Sequence, residues 1–214
     1  MPTLVLLAGP NGAGKTTFIN GFLRRRAEVF RYVNPDEVAR GLSGAGAGRD
    51  LAAGRLVLER LNALFAERYD VVLETTLASR SHAVRVRDWK AAGYRVELVY
   101  LRPPSADFSV MRVARRVAQG GHGIPEETLR RRFALSLDYL ETVYKPSVDQ
   151  WEVYAVSDNE PDLLDWDRNE HHLRPRNHAE GSARRRADRP HRHARGKVRQ
   201  VPSAPRVDRP PDHC

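Results

Sequence analysis

The sequence predicts a three-layer α/β domain built on a parallel sheet, and three observations carry that prediction. Short apolar runs recur through the first 160 residues, segments of helical periodicity separate them, and Gly, Pro and Asn punctuate the joins. A strand covered on both faces reads as a continuous apolar run, whereas a covering helix needs an apolar position every three or four residues.

The elements follow in order. Thr3–Ala8 is a continuous apolar run of strand length. Residues 16–26 carry Phe18, Ile19, Phe22 and Leu23 at helical spacing. Residues 31–33 form a short second strand closed by Asn34-Pro35-Asp36, and a helix over 37–42 fails in the glycine-rich run 41–48. Residues 50–68 read as an amphipathic helix with Leu51, Leu56, Leu58, Leu61, Leu64 and Phe65 on its apolar face. A strand over 69–74 ends on a carboxylate. A helix over 81–92 is closed by Gly93, and a strand over 95–101 is stopped by Pro103-Pro104. Residues 105–119 are helical up to the break Gly120-Gly121-His122-Gly123-Ile124-Pro125. A helix over 126–144 and a last strand over 151–156 complete the domain.

Charge divides the chain differently. Of the net +9, the 46 residues from Asn169 onward carry +7, with 12 Lys+Arg against 5 Asp+Glu. The body is close to neutral, so the sequence pI of about 10.2 describes the tail and does not mark the whole chain as a nucleic-acid binder. The tail has no Phe, Trp or Tyr and holds six of the eight histidines. Such a segment cannot bury enough apolar surface to offset its ordering entropy, and disorder is expected. Its Arg/Pro/His bias is also that of GC-rich DNA translated out of frame, while a tether to nucleic acid or an anionic surface is the functional alternative. The division expected is a domain over 1–165 and a tail over 166–214. The one cysteine, Cys214, excludes an intramolecular disulfide and a cysteine metal cluster, in keeping with a cytoplasmic setting. No apolar run approaches the ~20 residues of a membrane helix.

The chemistry concentrates in Gly9-Pro10-Asn11-Gly12-Ala13-Gly14-Lys15-Thr16, placed between a strand and a helix and followed by Thr17. Glycines there let the backbone fold into a nest of N–H donors, and the helix start adds partial positive charge, so the loop is expected to hold the phosphates of a nucleoside triphosphate. Lys15 would reach the β- and γ-phosphates, and the Thr16 hydroxyl would ligate Mg²⁺; ATP with Mg²⁺ is the expected pair. Asp36 follows Lys15 by 21 positions, past the second strand, where a carboxylate can take the proton of an attacking hydroxyl. The same residues also read as a helix start, with Asn34 as N-cap and Pro35 at N1. Glu74, at the end of an apolar strand with Thr75 and Thr76, fits either an acid directed at a metal or an acceptor-binding group, or an ST-turn with no such role. Arg112, Arg115, Arg116, Arg130, Arg131 and Arg132 flank the glycine hinge, as the arginines of a closing lid would.

Together these segments resemble the zeta-toxin-like family of small P-loop kinases, especially its bacterial branch labelled predicted ABC-type ATPase. The matching stretches are Ala8 to Thr17, Asn34-Pro35-Asp36-Glu37, Leu73-Glu74-Thr75-Thr76-Leu77 with Ser79-Arg80, Gly120 to Pro125, and Arg130-Arg131-Arg132-Phe133. They cover roughly residues 1–160 in consistent order.

The resemblance implies a nucleotide-kinase-like fold and transfer of phosphate from ATP to a hydroxyl. Carried over by position, Asp36 is the general base, and Glu74, Thr76 and Arg80 face the acceptor. Arg116 and one of Arg130, Arg131 and Arg132, with Arg131 as the candidate, act on the phosphates. In toxin members the acceptor is a UDP-N-acetylamino sugar and an antitoxin protein is the partner. Here Glu74-Thr75-Thr76 stands where those toxins have Glu-Gly-Thr, so the implied acceptor is a small hydroxyl compound with the sugar nucleotide as one instance.

Overall fold

The computed structural model describes residues 1–22, 30–42, 47–121, 123–157 and 161–168. All lie in the first of the chain's two units, Met1–Pro175; the second, Arg176–Cys214, lies outside them, and of the tail expected over 166–214 only residues 166–168 are described, in a strand. The expected layered architecture is what the chain adopts. Strands β1 (Thr3–Ala8), β2 (Arg31–Val33), β3 (Val71–Thr75), β4 (Arg95–Arg102), β5 (Gln150–Ala155) and β6 (Asp162–Arg168) form one sheet in the order β2-β3-β1-β4-β5-β6. Every neighbouring pair is parallel except β5 with β6.

Alternation along β1 builds the two cores. Leu4, Leu6 and Ala8 face one cluster with Val57, Leu61 and Leu64 of α3 (Ala47–Ala66), Val86 and Trp89 of α4 (Ser81–Ala91), and Leu140 and Tyr144. Val5 and Leu7 face the other, with Phe18 of α1 (Lys15–Phe22) and Phe108 of α5 (Ala106–Ala118). Each fully buried leucine contributes about 1.5–3 kcal/mol relative to exposure, so β1, buried on both faces, anchors the sheet.

Local sequence explains the helix ends. Asn34 caps α2 (Pro35–Arg40), its side chain accepting from the Asp36 N–H at 2.9 Å, with Pro35 in the first turn. Ser105 caps α5 in the same way through the Phe108 N–H. Gly93, at φ +80°, ends α4 in paired bonds, from its own N–H to Lys90 O and from the Tyr94 N–H to Trp89 O, the closure a left-handed residue permits.

Four expectations are corrected. Residues 151–156 do not form the last strand, because β6 returns antiparallel beside β5 and makes the sheet mixed. Leu51 and Leu56 do not face the core: they are 63% and 41% exposed, and Ala53, Val57, Leu61 and Leu64 form the buried stripe. The helix expected over 126–144 keeps α-geometry only as α6 (Glu126–Tyr139) and then widens into a π-turn (Leu140–Tyr144), with the Lys145 N–H bonded to Leu140 O five residues back. Helix α2 ends at Arg40, before the glycine-rich run as expected, but the helix expected over 50–68 begins earlier, at Ala47. No described helix is long and apolar enough to cross a membrane.

Candidate active site

The loop at residues 9–16 leaves the C-terminal end of the central strand β1 and feeds α1, which begins at Lys15. Gly9, Gly12 and Gly14 take φ values of +144°, +81° and +85°. A Cβ on Gly12 would lie 2.6 Å from Ser109 O, and one on Gly9 would lie 2.5 Å from Leu101 O, so loop, α5 and β4 meet backbone to backbone. Only glycine fits that approach. The N–H groups of Gly12, Gly14, Lys15 and Thr16 have no backbone partner among the described residues, which leaves donors for an anion at a helix start. Thr16 and Thr17 are exposed beside them, and Pro10, Asn11 and Ala13 are buried.

Lys15 is buried and folded back on its own loop, donating to Gly9 O at 2.8 Å and Pro10 O at 3.2 Å. Its Nζ also lies 3.8 Å from Glu74 Oε1. Burial pulls the ammonium below its ordinary range; Glu74 and Asp36 pull it upward, and Arg116 adds to the lowering. Glu74 is fixed from its other side, where the Tyr32 hydroxyl donates to Oε2 and Asn34 Nδ2 approaches both groups, at 3.2 Å from Tyr32 Oη and 3.4 Å from Oε2. Burial and the bond to Glu74 raise the Tyr32 phenol far above its ordinary range.

A cleft of about 320 Å³ opens beside this pair, with Asp36, Thr76, Ser79, His82 and Arg132 in its wall together with Lys15 and Glu74. Asp36 is exposed in the first turn of α2. The loop after β3 is held from beneath. The Ser136 hydroxyl donates to Thr76 O at 2.7 Å and lies 2.9 Å from the Tyr100 hydroxyl. The Tyr144 hydroxyl donates to Ser79 O at 2.6 Å, and the Leu77 N–H donates to Thr75 Oγ1 at 3.1 Å. Burial raises the Tyr100 and Tyr144 phenols to about 12 each. Buried Leu77 sits at φ +58°, a left-handed conformation that a branched residue accepts only where its surroundings impose it.

The structure thus brings Lys15, Asp36, Glu74 and Thr76 to one cleft and places the rest around it. Arg80 is exposed, its guanidinium 5.1 Å from the Tyr139 ring centroid. Arg116 is exposed on α5, close enough to act on the Lys15 charge. Among the α6 arginines, Arg132 lines the cleft, with Nη1 3.5 Å from Asn11 Oδ1; Arg131 is exposed and outside the cleft wall, and Arg130 pairs with Asp107 and Glu126. His122 lies outside the described residues. Sequence reasoning missed Tyr32 as a partner of Glu74, His82 on the cleft wall, and Arg112 as the guanidinium packed 3.4 Å from where a Gly14 Cβ would stand. Only Arg112 left a signal, as a member of the basic run.

Residues 4–138 match a family model described as an AAA domain, well over half of the chain. An uncharacterised protein of Haemophilus influenzae is 25% identical over 130 residues, 60% of this chain and 91% of that protein. Among solved structures, the chain is similar to one in the Pnkp1/Rnl/Hen1 RNA repair complex, with 23% identity and a TM-score of 0.58 over 65% of this chain and 45% of that one. It therefore spans less than half the length of that protein. It is also similar to a chain of the PezAT chromosomal toxin-antitoxin system of Streptococcus pneumoniae, with 16% identity and a TM-score of 0.57 over 78% and 72% of the two chains. A chain of AvrRxo1-ORF1:-ORF2 with ATP matches at 18% identity and a TM-score of 0.52, over 78% of this chain and 58% of that one. At these identities the likeness is one of fold.

Proposed function

The chain belongs to the AAA domain family over residues 4–138 and has a P-loop kinase fold; from that premise we propose that it is an ATP-dependent phosphotransferase acting on a hydroxyl of a small molecule. The observation that carries the reading is the convergence of Lys15, Asp36, Glu74 and Thr76, drawn from three separate segments, on one cleft.

The loop fits a triphosphate: it has N–H donors without a backbone partner among the described residues, a buried cation, and positive-φ glycines at 9 and 12 with no room for a side chain. Thr16, exposed in the first turn of α1, would hold Mg²⁺, which neutralises charge on the phosphates when bound. Lys15 exchanges its two carbonyl contacts for phosphate oxygens. Asp36 takes the proton of the acceptor hydroxyl as that oxygen bonds to the γ-phosphorus and the bond to the ADP oxygen breaks. Glu74 and Thr76 orient the acceptor, and Arg116 with one of Arg130–Arg132 screens the transferred charge. Of the three α6 arginines, Arg132 has the position that best supports this role, in place of Arg131.

Within the family we place the chain in the zeta-toxin-like branch, on its Asn34-Pro35-Asp36-Glu37 and Leu73-Glu74-Thr75-Thr76 segments. This makes a UDP-N-acetylamino sugar the first acceptor to test and an antitoxin the partner to seek, in the cytoplasm. The test incubates the protein with γ-labelled ATP and pooled metabolites, including UDP-N-acetylglucosamine and a 5′-hydroxyl oligonucleotide. Label in an organic phosphate is expected, and label appearing only as free phosphate would favour a bare ATPase.

A further inference from the structure

His82 stands in the first turn of α4 and lines the cleft, yet nothing in the donor chemistry uses it. Its Nδ1 is closed off from solvent without a hydrogen-bond partner among the described residues, and its ring lies 6.1 Å from the Trp89 ring. Nε2 is not among the closed-off, unpartnered atoms, so it is the ring nitrogen left for a ligand in the cleft that His82 lines. An unpaired buried polar atom opposes folding, and in a native protein it calls for a functional account. The backbone around it is firmly set, because the Tyr144 hydroxyl bonds Ser79 O and the Ser136 hydroxyl bonds Thr76 O. Burial, with Arg85 adding, lowers the imidazole pKa to about 4, so the ring is neutral at physiological pH.

A neutral imidazole carries no charge to draw an anion and offers one donor and one acceptor, which suits a hydroxyl. The cations lining the cleft, Lys15 and Arg132, belong to its donor end, one in the phosphate loop and the other beside Asn11. The lining also holds the hydroxyl residues Thr75, Thr76 and Ser79 and the carboxylates Asp36 and Glu74. We propose that His82 is a specificity-determining residue of the acceptor site, hydrogen-bonding through Nε2 an uncharged hydroxyl of a polyol or sugar ring. The inference rests on the phosphotransferase reading for its activity, but the binding it describes can be measured without turnover.

The test uses the full chain labelled with ¹⁵N-histidine, with His82→Phe identifying the resonance among the eight histidines. Glycerol, ribose and N-acetylglucosamine serve as uncharged probes, and inorganic phosphate as the anionic one. The His82 Nε2 resonance should move with at least one uncharged probe and stay in place with phosphate. A resonance that no uncharged probe moves, or that phosphate alone moves, overturns the proposal. In the transfer assay, His82→Phe should raise the acceptor KM roughly tenfold, the size of one lost hydrogen bond, and leave ATP affinity unchanged. His82→Gln should recover part of the loss. Transfer by His82→Phe with the wild-type KM also overturns the proposal. Should the wild type move label to no hydroxyl while the resonance still responds, the phosphotransferase reading fails and the polyol site stands.

Discussion

Lys15 and Glu74 form a buried ion pair whose two halves are held differently. The pair spans 3.8 Å, on side chains 6% and 10% exposed. Tyr32 and Asn34 fix the Glu74 carboxylate, whereas Lys15 divides its protons between Glu74 and the carbonyls of Gly9 and Pro10. Glu74 is therefore the fixed half of the pair and Lys15 the half able to turn to a ligand.

Removing the cation leaves a buried carboxylate uncompensated. Lys15→Met should abolish ATP binding and destabilise the nucleotide-free protein by about 3 kcal/mol. Adding Glu74→Gln should restore most of the stability and none of the ATP binding. Urea unfolding and ATP titration measure the two effects separately. A Lys15→Met protein as stable as the wild type would deny the pair any structural role.

Asp36 offers the cleaner separation of chemistry from folding. The cap of α2 uses its backbone N–H and the side chain of Asn34, and its own carboxylate is exposed. Asp36→Asn should keep the fold and the ATP affinity and lose roughly 10²–10⁴-fold in transfer rate, the range for a lost general base. Transfer at the wild-type rate would remove Asp36 from that role.

Asn34 serves both fold and site, and two substitutions divide its roles. Its Oδ1 caps α2 while its Nδ2 approaches Tyr32 Oη and Glu74. Asn34→Ala should cost about 1 kcal/mol in thermal unfolding for the lost cap. Asn34→Asp should keep the cap but set a second carboxylate against Glu74, impairing transfer more than its stability loss accounts for. Equal damage from the two variants would mean that only the cap matters.

What was legible in the sequence is what depends on neighbours along the chain. The phosphate loop, the Asn34-Pro35 helix start and the Gly93 closure are each complete within a few residues, so spacing alone reveals them. Pairings over distance left no such mark: Tyr32 reaches Glu74 across 42 positions, and Ser136 reaches Thr76 across 60. Strand β6 was hidden because it lies at a sheet edge with residues 162–167 exposed, so Asp162-Leu163-Leu164-Asp165-Trp166-Asp167 carries no burial pattern. The face of α3 was misjudged by weighing the large Leu51 and Leu56 above the small Ala53, although only the series 53, 57, 61, 64 keeps to one side of the helix. Which α6 arginine meets the cleft is a matter of helical phase, and three consecutive arginines cannot reveal it.

The neutral state of His82 carries a pH signature. Its folded pKa of about 4 lies below the ordinary value near 6.5 of an unfolded chain. Between these values the unfolded state binds more protons, so stability falls as pH drops from 6.5 toward 4 and is unaffected by this group above 6.5. The contribution is on the order of 2–3 kcal/mol by pH 4. Arg85 on the same helix opposes the charged ring, and the cleft places Asp36, Glu74, Lys15 and Arg132 in its wider surroundings. His82→Phe should flatten the dependence of unfolding free energy on pH in this window. An unchanged slope would assign the acid sensitivity to other groups.

Two glycines predict opposite outcomes for the same substitution. Gly12 has φ +81°, and its added Cβ would lie 2.6 Å from Ser109 O, a backbone atom that cannot yield without moving α5 away from the phosphate loop. Gly54, within α3, has nothing within 4 Å of its added Cβ. Gly54→Ala should therefore stabilise the protein by about 0.5–1 kcal/mol, as alanine does in an exposed helix interior. Gly12→Ala should cost more than that in stability and weaken ATP binding as well, because the strain falls on the N–H groups that would face the phosphates. Thermal unfolding with and without ATP measures both variants. A Gly12→Ala protein that binds ATP with wild-type affinity would show that the loop can hold a triphosphate without the close packing of α5 against it.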